Sequence, residues 1–422
     1  MMDTVSLYAY YLKSSGVSID SRTVNHGDLF FALKGPNFDG HKYVQSAIEK
    51  GAIYAVIEDE SFYREGRTLL VRNTEEALQN LARYHRCMIT IPVIGITGSN
   101  GKTTTKELMA SVLSQKYNVF ATKGNLNNHL GVPISVLSID QTHELAIIEM
   151  GANHQKEIQF LSEICQPDYG LITNIGKAHL EGFGGIEGVR KGKTELYQYL
   201  SKTNGIIFYH EGDERLVVSL PGKTTNISYN KDAVDVVDNY PVVSFKYQGT
   251  KFQTQLSGSY NLINAIAVLT IGSYFDVSVS EMKKGIESYI PDNNRSQLKR
   301  TDRNLLILDA YNANPSSMAE SIKNFANHPG ENKMLILGHM LEMGDSSKEE
   351  HERLVQLISS FQWKKVMLVG AEFYKIDSVN SFDLYPDTQA LCEKLKEEQF
   401  ENYTILLKGS RGVALERCVD YL

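Results

Sequence analysis

Residues 97–104 read Thr-Gly-Ser-Asn-Gly-Lys-Thr-Thr, between the β-branched run "PVIGI" and the helix-forming "KELMASVL". A strand that breaks into a glycine loop, Lys-Thr and a helix is a phosphate cradle. Gly98 and Gly101, with Ser99 and Asn100 between them, let backbone N–H groups approach phosphate oxygens. Lys102 adds a point charge, the Thr103 hydroxyl can bind Mg²⁺, and Thr104 closes the loop. The wider GxxxxGK[ST] spacing is not met, because its first glycine would fall on Ile96. The competing reading is a tight strand-to-helix turn with a solvated lysine.

Other chemistry-bearing residues also stand at the ends of apolar runs. "LAIIEMGANH" ends in Glu149, a carboxylate of the kind a nucleotide's Mg²⁺ uses, or a strand-end glutamate facing solvent. A charge that closes a buried run is expected to have a partner. "LITNIGKAHLEGFGG" carries His179 just past another strand end, either a metal ligand or a satisfied surface histidine. "VRKGKTELYQYL" offers Lys191 and Lys193, and side-chain chemistry alone selects neither. "LDAYNANPSSM" presents Asp309, Asn312 and Asn314, with Pro315 favouring a helix start, and "LLKGSRG" presents Lys408, Ser410 and Arg411. Polar groups at two strand ends suit a small charged substrate, or else serve as loop and cap chemistry.

The elements that must position these groups follow from periodicity. Residues 1–88 form a small α/β unit, with strands in "GDLFFALKG" and "AIYAVIED", a helix in "YVQSAIEKG", and an exit helix "TEEALQNLARYHRCM" capped by Thr74. Over 89–293 the runs "IPVIGIT", "ELAIIEM" and "YGLITNI" predict parallel strands buried on both faces and joined by helices. The stretch 226–256 predicts antiparallel edge strands, followed by the helix "NLINAIAVLTIGSYF". Over 294–422, "NLLILDAY", "NKMLILGHM", "KKVMLVG" and "NYTILLKGS" predict a doubly wound third unit.

Bulk properties agree with a soluble multidomain protein. The chain has 422 residues, 42% hydrophobic and 22% charged, and a net charge of −7 that disfavours nucleic acid as partner. Cys87, Cys165, Cys392 and Cys418 form no CxxC pair, which argues against a zinc ribbon or disulfide framework and for a reducing compartment. No apolar run approaches the roughly 18–20 residues needed to cross a bilayer, and no leader pattern opens the chain, so a cytoplasmic protein is expected.

The ordered set "GITGSNGKTTTKE", "KGNLNNHLGVP", "IIEMGANHQKEI", "TNIGKAHLEGFG", "GSYNLINAIA", "DAYNANPSSM" and "LLKGSRG" resembles the Mur ligases over nearly the whole chain. The N-terminal "DSRTVNHGDLFFALKGPNFDGHKYV" belongs to the same resemblance. It implies three α/β domains: an N-terminal UDP-substrate unit, a central P-loop ATPase unit and a C-terminal Rossmann-like unit. It also implies ATP-dependent amide formation between UDP-N-acetylmuramoyl-tripeptide and D-Ala-D-Ala, by a monomer. The family's shorter GxxGK[ST] loop accounts for Ile96.

Carried over residue by residue, the resemblance puts Lys102 and Thr103 on the ATP phosphates and a first Mg²⁺, with Glu149 as a further ligand. His179 is expected on a second Mg²⁺, and Lys193, in "KTELY", is expected to be carbamylated. Asn261 and Asn264 match positions near the adenine, Asp309 and Asn312 lie near ATP, and Arg295 falls at the hinge. Ser21 and Arg22, with Lys34, Gly35, Asp39, Gly40 and His41 of "KGPNFDGH", match the uridine-nucleotide grip. Asn125, Asn127 and Asn128 match the segment facing the muramoyl-peptide, and Lys408, Ser410 and Arg411 the D-Ala-D-Ala side. His339 of "LGHMLEMG" stands where the family usually has an acidic residue, and it is assigned no role. The rivals are a related ligase adding a single amino acid, such as a sister Mur enzyme or folylpolyglutamate synthase, a P-loop switch or motor, and a nucleotide-binding regulator without activity.

Overall fold

The computed structural model describes residues 1–379 and 381–422. The first unit is a parallel sheet of Val17–Ser18, Leu29–Phe31, Tyr54–Ile57 and Thr68–Leu70, in that order. A small hairpin, Lys34–Gly35 with Phe38–Asp39, stands apart from it. The exit helix Thr74–Met88 is capped by Asn73 rather than by Thr74. Asn73 has the extended backbone a cap needs, and its Oδ1 accepts from the Glu76 N–H at 2.8 Å. Thr74 is instead buried, donating its hydroxyl to the Glu58 carboxylate at 2.9 Å. The predicted "YVQSAIEKG" helix is the short Val44–Glu49, preceded by a 3₁₀ turn.

The central sheet is parallel throughout. Its order is Thr225–Tyr229, Ile206–His210, Tyr169–Ile172, Val93–Thr97, Leu145–Glu149 and Val119–Ala121. Every residue of Val93–Thr97 and Leu145–Glu149 is buried, as continuous apolar runs covered by helices on both faces require. The antiparallel expectation for 226–256 is corrected in part. Thr225–Tyr229 pairs in parallel with Ile206–His210, because a helical crossover (Glu214–Val217) returns the chain to the same edge. Only Asp235–Asp238, Ser244–Tyr247 and Thr250–Gln253 form an antiparallel sheet.

The last unit orders its strands Gln297–Arg300, Leu305–Asp309, Thr404–Lys408, Lys333–Gly338, Lys365–Val369 and Asp383–Tyr385. The first pairs antiparallel and the others in parallel. Gln297–Arg300 was not foreseen, because a polar edge strand has no apolar period to betray it. Pro315 opens the next helix at its first turn, under a capping box made by Asn314 and Ser317.

In each of the two large sheets the chain reverses direction across the sheet beside its first buried strand. Carboxyl-end loops diverge there and leave a crevice. Both crevices open onto one shared cleft of about 600 Å³.

Candidate active site

The cradle loop is held from outside. Asn174 donates to the Asn100 carbonyl at 3.0 Å and accepts the Asn100 N–H at 3.1 Å, while Ser99 and Gly176 exchange two bonds. Gly98 has φ +144°, and a Cβ there would lie 2.0 Å from Thr173 Oγ1. Gly101, at φ +78°, opens the helix Lys102–Leu113, whose first N–H groups are unpaired donors facing the cleft. Lys102 Nζ donates to the Gly98 carbonyl at 2.7 Å. Burial pushes its pKa down to about 8, against the pull of Glu149 and with the help of Arg295.

Glu149 has the partners a buried charge demands. Its Oε1 accepts from Asn127 Nδ2 at 2.8 Å and from Thr103 Oγ1 at 3.2 Å. Its Oε2 lies 3.8 Å from Lys106 Nζ but has no hydrogen-bond partner. An orphaned carboxylate oxygen next to a threonine hydroxyl, both hard oxygen donors, fits a Mg²⁺ ligand pair. Among the described residues no three His, Cys, Asp or Glu side chains gather as a preformed metal cage. Phosphates and water would have to complete any such site.

His179 and Lys193 are near the cradle yet engaged elsewhere. His179 Nδ1 lies 2.5 Å from Glu342 Oε2 across the domain boundary, and burial, then Lys102, lower its pKa. Lys193 is buried, and its Nζ donates to the Ala152 carbonyl at 3.1 Å and sits over the Phe183 ring. Burial, then the Lys102 charge, holds it well below an ordinary lysine pKa. Lys191, the other candidate, is exposed.

Asn264 packs against Gly101 and donates to Asn261 Oδ1 at 2.9 Å, and Asn261 donates to the Ser257 carbonyl. Across the cleft, Lys408 Nζ donates to Asp309 Oδ2 at 2.6 Å and to the Asn312 carbonyl at 3.3 Å. Arg295, Asn312 and Arg411 share the lining with Asn125, Asn127, Asn128, Lys102, Glu149 and His179. Ser410 does not reach the cleft. It is buried and accepts the Leu341 N–H at 3.0 Å.

The N-terminal candidates lie apart from this cleft. His41 is buried, with Nδ1 2.7 Å from Asp39 and Nε2 accepting the Glu58 N–H, so it braces its loop. Gly40 is pressed against the Leu33 backbone. Lys34 and Gly35 are exposed on the hairpin, Arg22 pairs with Asp20, and the Ser21 carbonyl accepts from Lys50. His339 is half-buried, with Nδ1 unpartnered.

Asn174, Tyr311 and Glu342 line the cleft and were not singled out from the sequence. Tyr311 stands two residues beyond Asp309, inside a motif already read for its polar members. Glu342 meets His179 over 163 residues of chain, a contact that no spacing rule encodes.

Family profiles match three consecutive segments: "Mur ligase family, catalytic domain" at 13–86, "Mur ligase middle domain" at 96–272, and "Mur ligase, glutamate ligase domain" at 294–411. The UDP-N-acetylmuramoyl-tripeptide–D-alanyl-D-alanine ligase of Bacillus subtilis is 36% identical, over 96% of this chain and 93% of its own. The Escherichia coli enzyme of that name is 31% identical, over 96% and 93%. Among solved structures, MurF from Acinetobacter baumannii superposes with a TM-score of 0.85 at 30% identity, covering 96% of this chain and 92% of that one. MurF ligase from Thermotoga maritima in complex with ADP gives 0.84 at 29% identity, covering 97% of each.

Proposed function

The chain belongs to the Mur ligase family, and from that premise we propose that it joins D-Ala-D-Ala to UDP-N-acetylmuramoyl-tripeptide at the expense of ATP. This step completes the pentapeptide precursor of peptidoglycan. One observation carries the reading. A phosphate cradle with a buried carboxylate faces, across one cleft, a second sheet edge bearing Asp309, Lys408 and Arg411.

A carboxylate does not acylate an amine, because its leaving group would be oxide. Transfer of the γ-phosphoryl group to the tripeptide's terminal carboxylate gives an acyl phosphate and ADP. Attack by the dipeptide's neutral amine then forms the amide and releases phosphate. The first step brings two anions together, and unit charges about 4 Å apart repel by roughly 4 kcal/mol at an effective dielectric near 20. Lys102 and the helix N-terminus behind Gly101 offset part of that repulsion. Glu149 and Thr103 would hold a first Mg²⁺, and His179 with a carbamylated Lys193 a second. When bound, these ions neutralise charge on the phosphates. The buried Lys193 favours its neutral amine, the form that adds CO₂ to give a carbamate and a proton.

Asn261 and Asn264 face the adenine side in this reading, and Asn125, Asn127 and Asn128 face the muramoyl-peptide. The N-terminal grip, residues 21–22 and 34–41 within a unit of residues 1–88, takes the uridine nucleotide. Units 89–293 and 294–422 supply ATP chemistry and the acceptor side. No helix of the described residues is long and apolar enough to cross a membrane. The test is phosphate release with UDP-muramoyl-tripeptide, D-Ala-D-Ala and Mg-ATP, omitting each in turn. Turnover is expected only with all three, and substantial ATP hydrolysis without any carboxylate acceptor would favour a nucleotide-driven switch. Offering lysine, diaminopimelate or glutamate in place of the dipeptide separates the sister ligases.

A further inference from the structure

Arg295, Tyr311 and Arg411 reach the cleft from three segments: the linker into the last sheet, the turn after Leu305–Asp309, and the loop after Thr404–Lys408. The Arg295 guanidinium carbon lies 3.6 Å from the centre of the Tyr311 ring, and that of Arg411 lies 4.9 Å from it. A planar, weakly hydrated guanidinium gains from an aromatic face, and a desolvated face strengthens the attraction. Among the described residues the arginines paired with carboxylates are Arg22, Arg86, Arg190 and Arg353, and neither of these two. Arg295 Nε is also buried without a hydrogen-bond partner. Two like charges gathered on one ring, with donors unspent, form an arrangement that an oxyanion completes.

The two cations are not equivalent. Arg295 lies within the field of Lys102, and its linker is fixed through Ser296, whose carbonyl accepts the Ser257 N–H and whose hydroxyl meets Tyr260 at 3.0 Å. Arg411 is exposed, on a loop held mainly by its own short turn, so the ring is its principal lateral support. The acceptor dipeptide carries a nucleophilic amine and a terminal carboxylate, and fixing the carboxylate aims the amine. We infer that Tyr311 is a positioning residue of the ligation, its ring holding Arg411 against the acceptor's carboxylate while Arg295 faces the phosphates. The inference rests on the ligase reading above.

The test compares wild type, Tyr311→Leu and Tyr311→Phe by initial rates of phosphate release, with D-Ala-D-Ala and with its C-terminal carboxamide. Tyr311→Leu is expected to raise KM for D-Ala-D-Ala about tenfold, with KM for Mg-ATP changed less than about threefold. KM for the carboxamide should be equal in wild type and Tyr311→Leu, and Tyr311→Phe should restore the wild-type value for the acid. Should Tyr311→Leu fail to fold, Arg411→Lys keeps the charge, loses the stacked plane and is expected to give the same acid-selective rise. An unmoved KM, or equal rises for acid and carboxamide, overturns the role of Tyr311 alone. Wild-type release that needs neither the tripeptide nor the dipeptide overturns the ligase reading, and this inference with it.

Discussion

Glu149 and Lys106 show how one buried pair serves both chemistry and fold. Lys106 is buried, donates to the Thr122 carbonyl at 2.6 Å, and lies 3.8 Å from both Glu149 and Glu107. Glu149→Ala therefore leaves Lys106 with a second carboxylate and a carbonyl. We expect turnover to fall by about 100-fold or more, with only a modest drop in melting temperature. Lys106→Met leaves Glu149 buried beside Thr103 and Asn127 without its adjacent ion-pair partner, with only Lys102 left as a nearby cation, and should cost about 3 kcal/mol of stability. Denaturant melts of the two variants, beside phosphate-release rates, check this inverted pattern. Near-normal turnover in Glu149→Ala would remove the metal assignment. At Gly98 the limit is steric, because a methyl group would collide with Thr173 Oγ1. Gly98→Ala should thus distort the cradle and weaken ATP binding, read by calorimetric titration.

Two elements set how the parts are held. The cradle helix grips the interdomain linker through Glu107, whose Oε2 accepts from Tyr289 Oη at 2.6 Å and from Asn293 Nδ2 at 3.0 Å. Glu107→Ala should speed amide hydrogen exchange around 289–296 while the central sheet stays protected. In the last unit, the loop carrying His339 leans on the helix Ser347–Ser359, where His351 Nε2 accepts the Met340 N–H at 2.9 Å. Burial lowers the pKa of both histidines below 6.5. The unfolded chain therefore binds more protons than the folded one below about pH 6.5, and stability falls as pH drops through that range. Melting followed from pH 7.5 to 5 should show this slope, and His351→Gln should flatten it.

The central and last units meet through specific contacts at the cleft, beside others farther out such as Tyr240 and Ser259 on Asn324. Asn314 donates to Asn100 at 2.7 Å, the Lys177 N–H donates to Ser316, and Lys177 and His179 pair with Glu350 and Glu342, each at 2.5 Å. All flank the cleft, where an acyl phosphate must be kept from water. Glu342 is exposed, and an exposed ion pair such as His179–Glu342 is worth about 1 kcal/mol or less and is screened by salt, whereas Glu350 is buried. With Lys177–Glu350 as its one buried-side ion pair among the described residues, this boundary should open in solution and close on ligands. Small-angle scattering should show compaction with nucleotide and tripeptide together. Lys177→Ala should enlarge the free protein and leave the compact form reachable. No compaction with both ligands would count against closure.

Continuous apolar runs specified the buried parallel strands, because a strand covered on both faces needs no alternation. Glycine, lysine and threonine at fixed spacing specified the cradle, since only that order lets backbone and charge converge on phosphate. Polar residues closing those runs marked Glu149, Asp309 and Lys408, the residues set at carboxyl ends of strands. The edge strand Gln297–Arg300, the parallel pairing of Thr225–Tyr229 and the burial of His41 and Ser410 depended on neighbours brought from afar. So did the meetings of His179 with Glu342 and of Tyr311 with two arginines, which cross the domain boundary or join loops from different strands. Local periodicity and turn chemistry act over a few residues and are written in the chain. Partner choice between distant strand ends is fixed only when the sheets are built and face each other.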